Sequence, residues 1–119
     1  MDQINTEHKV IIQLSSNDLL VQKATIGQLN NILNAFNAIQ IEVVMNGPGI
    51  NLILKDSAMT NVLEQLNEKG IHFLVCQNTL NQKNLDSNAL LSFAGIIPSS
   101  IAHLIVRQSE GWSYIKAGF

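Results

Sequence analysis

Residues 70–80, GIHFLVCQNTL, change sharply from apolar to polar side chains, and this change indicates how the chain folds. Residues 71–76 form a short apolar run, which is typical of a buried strand. Gly70 suits the left-handed end of a preceding helix. Cys76, the only cysteine of the chain, stands where the apolar run ends. We therefore predict a helix, a strand that ends at Cys76, and a polar connection from Gln77.

The same alternation of strand and helix patterns extends over the rest of the chain. Further strands are predicted at residues 9–14, 41–45, 95–97 and 112–116. Apolar residues at helical spacing lie between them: Leu29, Ile32, Leu33, Phe36 and Ile39, then Met59, Val62, Leu63 and Leu66, then shorter patterns at residues 86–93 and 101–110. Because each crossover helix returns the chain to the same edge, we predict an α/β layered domain with a mostly parallel sheet of about five strands.

Length and composition limit the classes of protein to consider. A chain of 119 residues has the size of one domain, so we predict a single domain over residues 1–119. With 46% hydrophobic and 13% charged residues, the composition is globular, and the low charge indicates that other subunits cover some surface. The net charge of −2 and the lack of a basic stripe argue against nucleic acid or membrane as partners. With neither a signal-peptide pattern nor a membrane-spanning apolar run, we predict a soluble, cytoplasmic protein.

Polar and flexible residues follow the predicted strands. In an open parallel sheet, ligands bind beyond the carboxyl ends of the strands, where loops and helix N-termini meet. We therefore predict a pocket at this edge, which we call the carboxyl rim. Its residues are Ser15, Ser16, Asn46, Gly47, Pro48, Gly49, Cys76, Gln77, Asn78, Thr79, Ser99 and Ser100.

Cys76 is the candidate reactive group of this rim. A helix N-terminus stabilises a thiolate through its dipole and free N–H groups, although no lysine or arginine neighbours Cys76 in the sequence. The alternative is that Cys76 is simply a buried apolar residue. A single cysteine cannot form an internal disulfide, a Cys-X-X-Cys pair or a thiolate metal cluster. Any redox partner must therefore be another molecule.

Other motifs predict no cofactor and no metal. The Gly47-Pro48-Gly49 turn lacks both the dinucleotide-binding spacing and the lysine of a phosphate loop, so it predicts a tight turn that can shape the pocket floor. The three histidines show no metal-ligand spacing. We expect His103 on the polar face of the last helix, without an acidic companion.

Trp112 and Tyr114 are the only tryptophan and tyrosine of the chain. Two-residue spacing places both on one face of a predicted strand. Large rings with one polar atom pack well in cores and between subunits. We therefore interpret both as core or subunit-contact residues.

Four motifs together resemble one known family. The motifs are NGPGI at residues 46–50, GIHFLVCQNTL at residues 70–80, IIPSSIAHLI at residues 96–105 and RQSEGWSYIK at residues 107–116. In order and spacing they resemble the small stand-alone members of the DsrE/DsrF-like family. The resemblance implies a three-layer flavodoxin-like fold and a homo-oligomer, a trimer or a hexamer, with pockets near subunit contacts.

The resemblance also implies a role for Cys76. In the sulfur-relay relatives, a cysteine at the matching strand end carries sulfur as a persulfide and passes it to a partner protein. Many relatives have histidine before Gly-Pro-Gly, whereas this chain has Asn46, which hydrogen-bonds but does not titrate near neutral pH.

Two functions remain open from the sequence. In the first, Cys76 is a sulfur carrier that acts between a sulfur donor protein and an acceptor protein. In the second, the protein is a non-catalytic oligomeric module that binds a small ligand or a partner protein in the same crevice, and Cys76 is structural.

Overall fold

Five parallel strands form the centre of the computed structural model, which describes residues 3–119. The strands are β1 His8–Leu14, β2 Ile39–Met45, β3 His72–Cys76, β4 Gly95–Ile97 and β5 Ser113–Lys116. The helices are α1 Leu19–Ala35, α2 Thr60–Glu68, α3 Gln77–Gln82 and α4 Ser100–Ser109, with 3₁₀ turns at Gly47–Ile53 and Ser87–Ala89. The strand order is β4-β3-β2-β1-β5, and every neighbouring pair is parallel. The predicted α/β fold with a mostly parallel sheet is confirmed.

The two faces of the sheet are covered unequally. Successive strand residues point to opposite faces, so each buried strand contributes to two apolar layers. The larger layer joins the sheet to α1, α2 and α3, through Leu29, Leu63 and Leu80 among others. The smaller layer consists of Ile11, Val44, Leu104 and Trp112, with Leu74 and Ile97 packed against it. Among the helices of residues 3–119, α4 alone lies on this second face, which we call the α4 face.

The first helix is shorter than its apolar spacing predicts. Asp18 begins it by accepting a hydrogen bond from the Leu20 N–H at 2.8 Å. The helix ends at Ala35, whereas Phe36 and Ile39 were expected on its apolar face. Ile39 instead begins β2 and pairs with His8. Pairing with the neighbouring strand therefore outweighs the helical spacing at this end.

The connection between β3 and β4 also differs from the prediction. The helix expected at residues 86–93 is only the 3₁₀ turn Ser87–Ala89, because Leu90 is extended and pairs with Leu54, directly after the Gly47–Ile53 turn. The Leu91 N–H donates to Ile53 at 2.9 Å. The helix of this region is α3, which starts directly after Cys76 although its sequence is polar. Thr79 and Leu80 are its buried residues.

Gly49 fixes the turn after β2 against the end of β1. A Cβ atom at this position would lie 2.0 Å from the Leu14 carbonyl oxygen, which is far inside van der Waals contact. The Asn46 N–H donates to the same carbonyl at 3.2 Å. Only glycine therefore allows the turn to approach β1 so closely.

Candidate functional site

The strand order brings the predicted rim turns together. Met45 pairs with Val75, so the chain leaves β2 at Asn46 directly beside Cys76. On its other side, Cys76 pairs with Ile97 of β4. The turns that follow β2, β3 and β4 are therefore neighbours along one edge of the sheet, as the carboxyl-rim interpretation requires.

Cys76 lies at the N-termini of two helices. Its extended backbone caps α3, and its side chain turns to the α4 face, where its sulfur accepts the Ser100 N–H at 3.4 Å. Ser99 begins α4 by accepting the Ala102 N–H on its hydroxyl at 3.2 Å. Cys76 itself is only 4% exposed. The thiol is thus buried, but it faces backbone and side-chain donors.

These donors change the acidity of the thiol. Burial alone raises the pKa of Cys76 because it penalises the charged form. Hydrogen bonds from the side chain and backbone of Ser100, and from the backbone and side chain of Thr79, outweigh burial and lower the pKa to about 7. The Cys76 thiol therefore ionises more readily than an ordinary cysteine.

Thr79 connects the sulfur to the turn after β2. It is buried, with 5% exposure, and its Oγ1 accepts the Gly47 N–H at 3.0 Å. Gly47 has a left-handed backbone, with φ of 53°, which favours glycine. One hydroxyl therefore links Cys76 to the Gly-Pro-Gly turn.

Asn46 is the centre of a second group of polar contacts. Its Oδ1 accepts the Ser15 hydroxyl at 2.9 Å and Nε2 of Gln13 at 3.4 Å. The Tyr114 hydroxyl donates to Oε1 of Gln13 at 2.5 Å. Gln13 was not among the predicted rim residues. The only signal was a polar residue in the otherwise apolar end of the first strand.

The remaining predicted rim residues have separate roles. Nε2 of Gln77 donates along α3 to Asn81 at 2.8 Å, and Asn78 is exposed. Ser16 accepts the Asp18 N–H at 3.0 Å, which stabilises the entry to α1. Pro48 is exposed at the outer side of its turn. The contacts of Gln77 and Ser16 are thus structural and do not involve the sulfur.

Trp112 and Tyr114 differ in burial. Trp112 precedes β5, is buried in the α4 face, and lies beneath the Arg107 guanidinium, whose carbon is 4.7 Å from the ring centroid. Tyr114 is 40% exposed on the edge strand and contacts Gln13. Trp112 is thus a core residue of the α4 face, whereas Tyr114 is partly exposed.

A charged cluster on the same face overturns one expectation. His103 does not lie on a free polar surface without an acidic companion, because its Nε2 is 2.8 Å from Oε1 of Glu42. Arg107 binds the same carboxylate with two bonds of 2.9 Å and also pairs with Glu110. Burial raises the pKa of Glu42, but the bonds and charges of Arg107 and His103 outweigh burial and lower it. An acidic residue within an apolar strand was the one signal in the sequence, but the partners His103 and Arg107 are 61 and 65 positions away from Glu42.

A cavity of about 520 Å³ adjoins this cluster at the amino end of the sheet. Lys9, Gln40, Glu42, His72, Arg107 and Trp112 are among its lining residues. It therefore lies at the opposite end of the sheet from Cys76. In residues 3–119 no group of three or more His, Cys, Asp or Glu residues could hold a metal ion. No helix within the described part of the chain is both long and apolar enough to cross a membrane.

The parallel five-stranded sheet has helices on both faces, so the protein is an α/β protein with the three-layer architecture of flavodoxin-like folds. The chain belongs to the DsrE/DsrF-like family, whose sequence model matches residues 8–117. The fold is similar to that of MTH1491, a protein of unknown function from Methanobacterium thermoautotrophicum. The TM-score is 0.90 with 28% identity, over 92% of this chain and 98% of that chain.

A second solved structure, BT1422 from Bacteroides thetaiotaomicron, is a conserved protein of unknown function. It matches with a TM-score of 0.66 and 13% identity, over 91% of this chain and 93% of that chain. At this identity the likeness concerns the fold alone. No curated protein matches the sequence.

Proposed function

We propose that the protein is a cytoplasmic sulfur carrier in which Cys76 accepts a sulfane sulfur and passes it to the thiol of a partner protein. The observation that carries this proposal is the Ser100 N–H at 3.4 Å from the Cys76 sulfur, at the N-terminus of α4. A thiolate is the form of cysteine that attacks sulfur. Membership of a family related to sulfur-relay proteins supports the same chemistry.

The transfer consists of two displacements at sulfur. The Cys76 thiolate attacks the terminal sulfur of a donor persulfide, a new S–S bond forms on Cys76, and the donor leaves as a thiolate that takes up a proton. An acceptor thiolate then attacks the terminal sulfur of the Cys76 persulfide, and Cys76 leaves as thiolate. No electrons are gained or lost overall, so one cysteine suffices. The reducing conditions of the cytoplasm suit this exchange because they keep free thiols available.

The burial of Cys76 favours a second candidate function. With 4% exposure, its side chain fills space between β3 and α4 as a small apolar residue would. In this alternative the protein is a non-catalytic oligomeric module that binds a small ligand or a partner protein at the carboxyl rim. The alternative predicts slow alkylation of Cys76, and little functional loss in Cys76→Ser apart from modest destabilisation.

Mass spectrometry distinguishes the two functions. The purified protein is incubated with a low-molecular-weight persulfide, and a known persulfide carrier is treated in parallel. We expect a gain of one sulfur atom on the peptide that contains Cys76, and no gain in Cys76→Ser. If the known carrier is loaded and this protein is not, sulfur carriage is wrong.

We further propose that the α4 face is the contact surface of a homo-oligomer, a trimer or a hexamer as in related proteins. Ile101, Ile105 and Val106 of α4 are 56%, 63% and 52% exposed, and Tyr114 lies exposed on the same face. A second subunit on this surface would remove their apolar area from water. It would also bring the partner chain close to the carboxyl rim, because the first turn of α4 carries Ser100.

A further inference from the structure

We propose that the side-chain amide of Asn46 donates a hydrogen bond to the terminal sulfur of the Cys76 persulfide, and that Gln13, Ser15 and Tyr114 hold this amide in position. The inference rests on the proposed sulfur carriage and adds the group that stabilises the carried sulfur. Asn46 is the residue that contacts the cargo. The other three act through it as positioning residues.

The contacts of Asn46 are one-sided. Its Oδ1 accepts two hydrogen bonds, from Ser15 at 2.9 Å and from Gln13 at 3.4 Å. Its Nδ2 makes no hydrogen bond to any other group of residues 3–119, and the residue is only half-buried. The carbonyl of the amide is therefore engaged with β1, whereas its two N–H donors are left for a group outside the protein. The neighbouring strand on the other side ends at Cys76.

Donor direction is set along a row of three side chains. The Tyr114 hydroxyl donates to Oε1 of Gln13 at 2.5 Å, which leaves Nε2 of Gln13 to donate to Oδ1 of Asn46. Each bond in such a row strengthens the next, and together they orient the Asn46 amide with its nitrogen away from β1. Tyr114 and Gln13 are 101 residues apart, so the row connects the edge strand β5 to the sulfur site.

A persulfide ionises to an anion, and the N–H groups of an amide can donate hydrogen bonds to that anion. A hydrogen bond from N–H to a charged acceptor is about twice as strong as one to a neutral acceptor. Unlike histidine, an asparagine side chain keeps its donors unchanged over the range in which the thiol titrates. The donor is thus present on both sides of neutral pH. A carboxylate at the same position would repel it.

Nuclear magnetic resonance of the Asn46 side-chain amide tests this placement directly. A pH titration of ¹⁵N-labelled protein follows the two Nδ2 protons. We expect them to shift as Cys76 ionises and to shift again when its persulfide forms. Neither shift should occur in Cys76→Ser. The amide of Asn61, which is exposed on α2, serves as the internal reference.

Two variants test the positioning role. Tyr114→Phe removes only the first donor of the row and Asn46→Asp replaces the amide by a carboxylate of the same shape. We expect the lifetime of the Cys76 persulfide toward a small thiol acceptor to fall about three- to tenfold in Tyr114→Phe, the effect of one neutral hydrogen bond, and further in Asn46→Asp. The Asn46 shift on ionisation of Cys76 should be smaller in Tyr114→Phe than in the wild-type protein.

The outcomes separate this inference from sulfur carriage itself. An Asn46 amide that responds to thiolate formation supports the positioning even where no sulfur is loaded, and the proposed function then fails alone. A Cys76 persulfide that forms while the Asn46 amide stays unchanged overturns the inference and leaves sulfur carriage intact. A lifetime in Asn46→Asp equal to that of the wild-type protein overturns it as well.

Discussion

The backbone N–H of Ser100 donates to the sulfur of Cys76 at 3.4 Å, and this contact joins the end of β3 to the first turn of α4. Cys76 and Ser100 are 24 residues apart and belong to different elements. The contact exists because β4 follows β3 in the sheet and the chain then turns back over the α4 face. The acidity of the thiol is therefore a property of the tertiary fold.

Alkylation of Cys76 should follow the ionisation of its thiol. With a pKa of about 7, the rate with iodoacetamide should rise as the pH increases, reach half its maximum near pH 7, and level off about one to two units above. An ordinary thiol reaches half its maximum near pH 8.5. The measurement is the loss of free thiol over time from pH 5 to pH 10.

Free cysteine at the same ionic strength is the control for this profile. Restricted access slows the reaction at every pH, because Cys76 is 4% exposed, but it leaves the midpoint at the pKa of the thiol. A midpoint near 8.5 or above would show that the Ser100 and Thr79 donors do not stabilise the thiolate.

Thr79→Val removes a hydroxyl and keeps the side-chain shape. We expect the pKa of Cys76 to rise, because the Thr79 side chain is one of the groups that lower it. The Gly47 N–H also loses its partner at 3.0 Å, so the free energy of unfolding should fall by about 1–2 kcal/mol. Thr60→Val, whose hydroxyl donates only to Ser57, should leave the thiol pKa unchanged. If the pKa of Cys76 is the same in Thr79→Val and Thr60→Val, the Thr79 hydroxyl does not stabilise the thiolate.

Some parts of this site could be predicted from the sequence, and others could not. The strand that ends at Cys76 and the Gly-Pro-Gly turn are local patterns, so the α/β fold and the parallel sheet were predictable. The contacts of Glu42 with His103 and of Gln13 with Tyr114 join residues that are 61 and 101 positions apart. They depend on strand order, which no local pattern contains. Helix α3 was missed for another reason, since tertiary burial of Thr79 and Leu80 stabilises a polar segment with little helical periodicity.

Gly49→Ala should be severely destabilising. The Cβ of the alanine would lie 2.0 Å from the Leu14 carbonyl oxygen. This oxygen is a backbone atom, which cannot move away without disturbing β1. We expect a loss of more than about 3 kcal/mol in the free energy of unfolding. Gly27→Ala is the matched control, because nothing lies within 4 Å of its Cβ position and it stands inside α1. That change should stabilise the protein by about 0.5–1 kcal/mol. If chemical denaturation gives the same change in unfolding free energy for Gly49→Ala and Gly27→Ala, the turn does not approach β1 this closely.

Glu42→Gln should lower stability in a pH-dependent way. The variant leaves Arg107 without its bidentate partner, and we expect a loss of about 2–3 kcal/mol. This value is below that for fully buried pairs because the Arg107 side chain is 29% exposed. The pKa of Glu42 is lower in the folded than in the unfolded state, so its contribution is complete above about pH 4.3.

The same contribution disappears as the pH falls through the lowered pKa of folded Glu42. The difference in unfolding free energy between wild-type protein and Glu42→Gln should therefore be constant near neutral pH and shrink below about pH 4. Glu64→Gln on the exposed side of α2 is the control and should change little at any pH. A difference independent of pH would show that the Glu42 charge does not stabilise α4 on the sheet.

Ile105→Glu tests whether α4 is a subunit contact. Ile105 is 63% exposed in the single chain, so a charge there should cost little in the folded subunit. In a homo-oligomer that buries this face, the same charge would lie unpaired in an apolar contact, and the oligomer should dissociate. Sedimentation velocity measures the change directly. Leu20→Glu, at a site that is 65% exposed on α1 and away from the α4 face, is the matched control and should keep the oligomer. If Leu20→Glu dissociates the oligomer and Ile105→Glu does not, the subunit contact lies on the opposite face of the sheet.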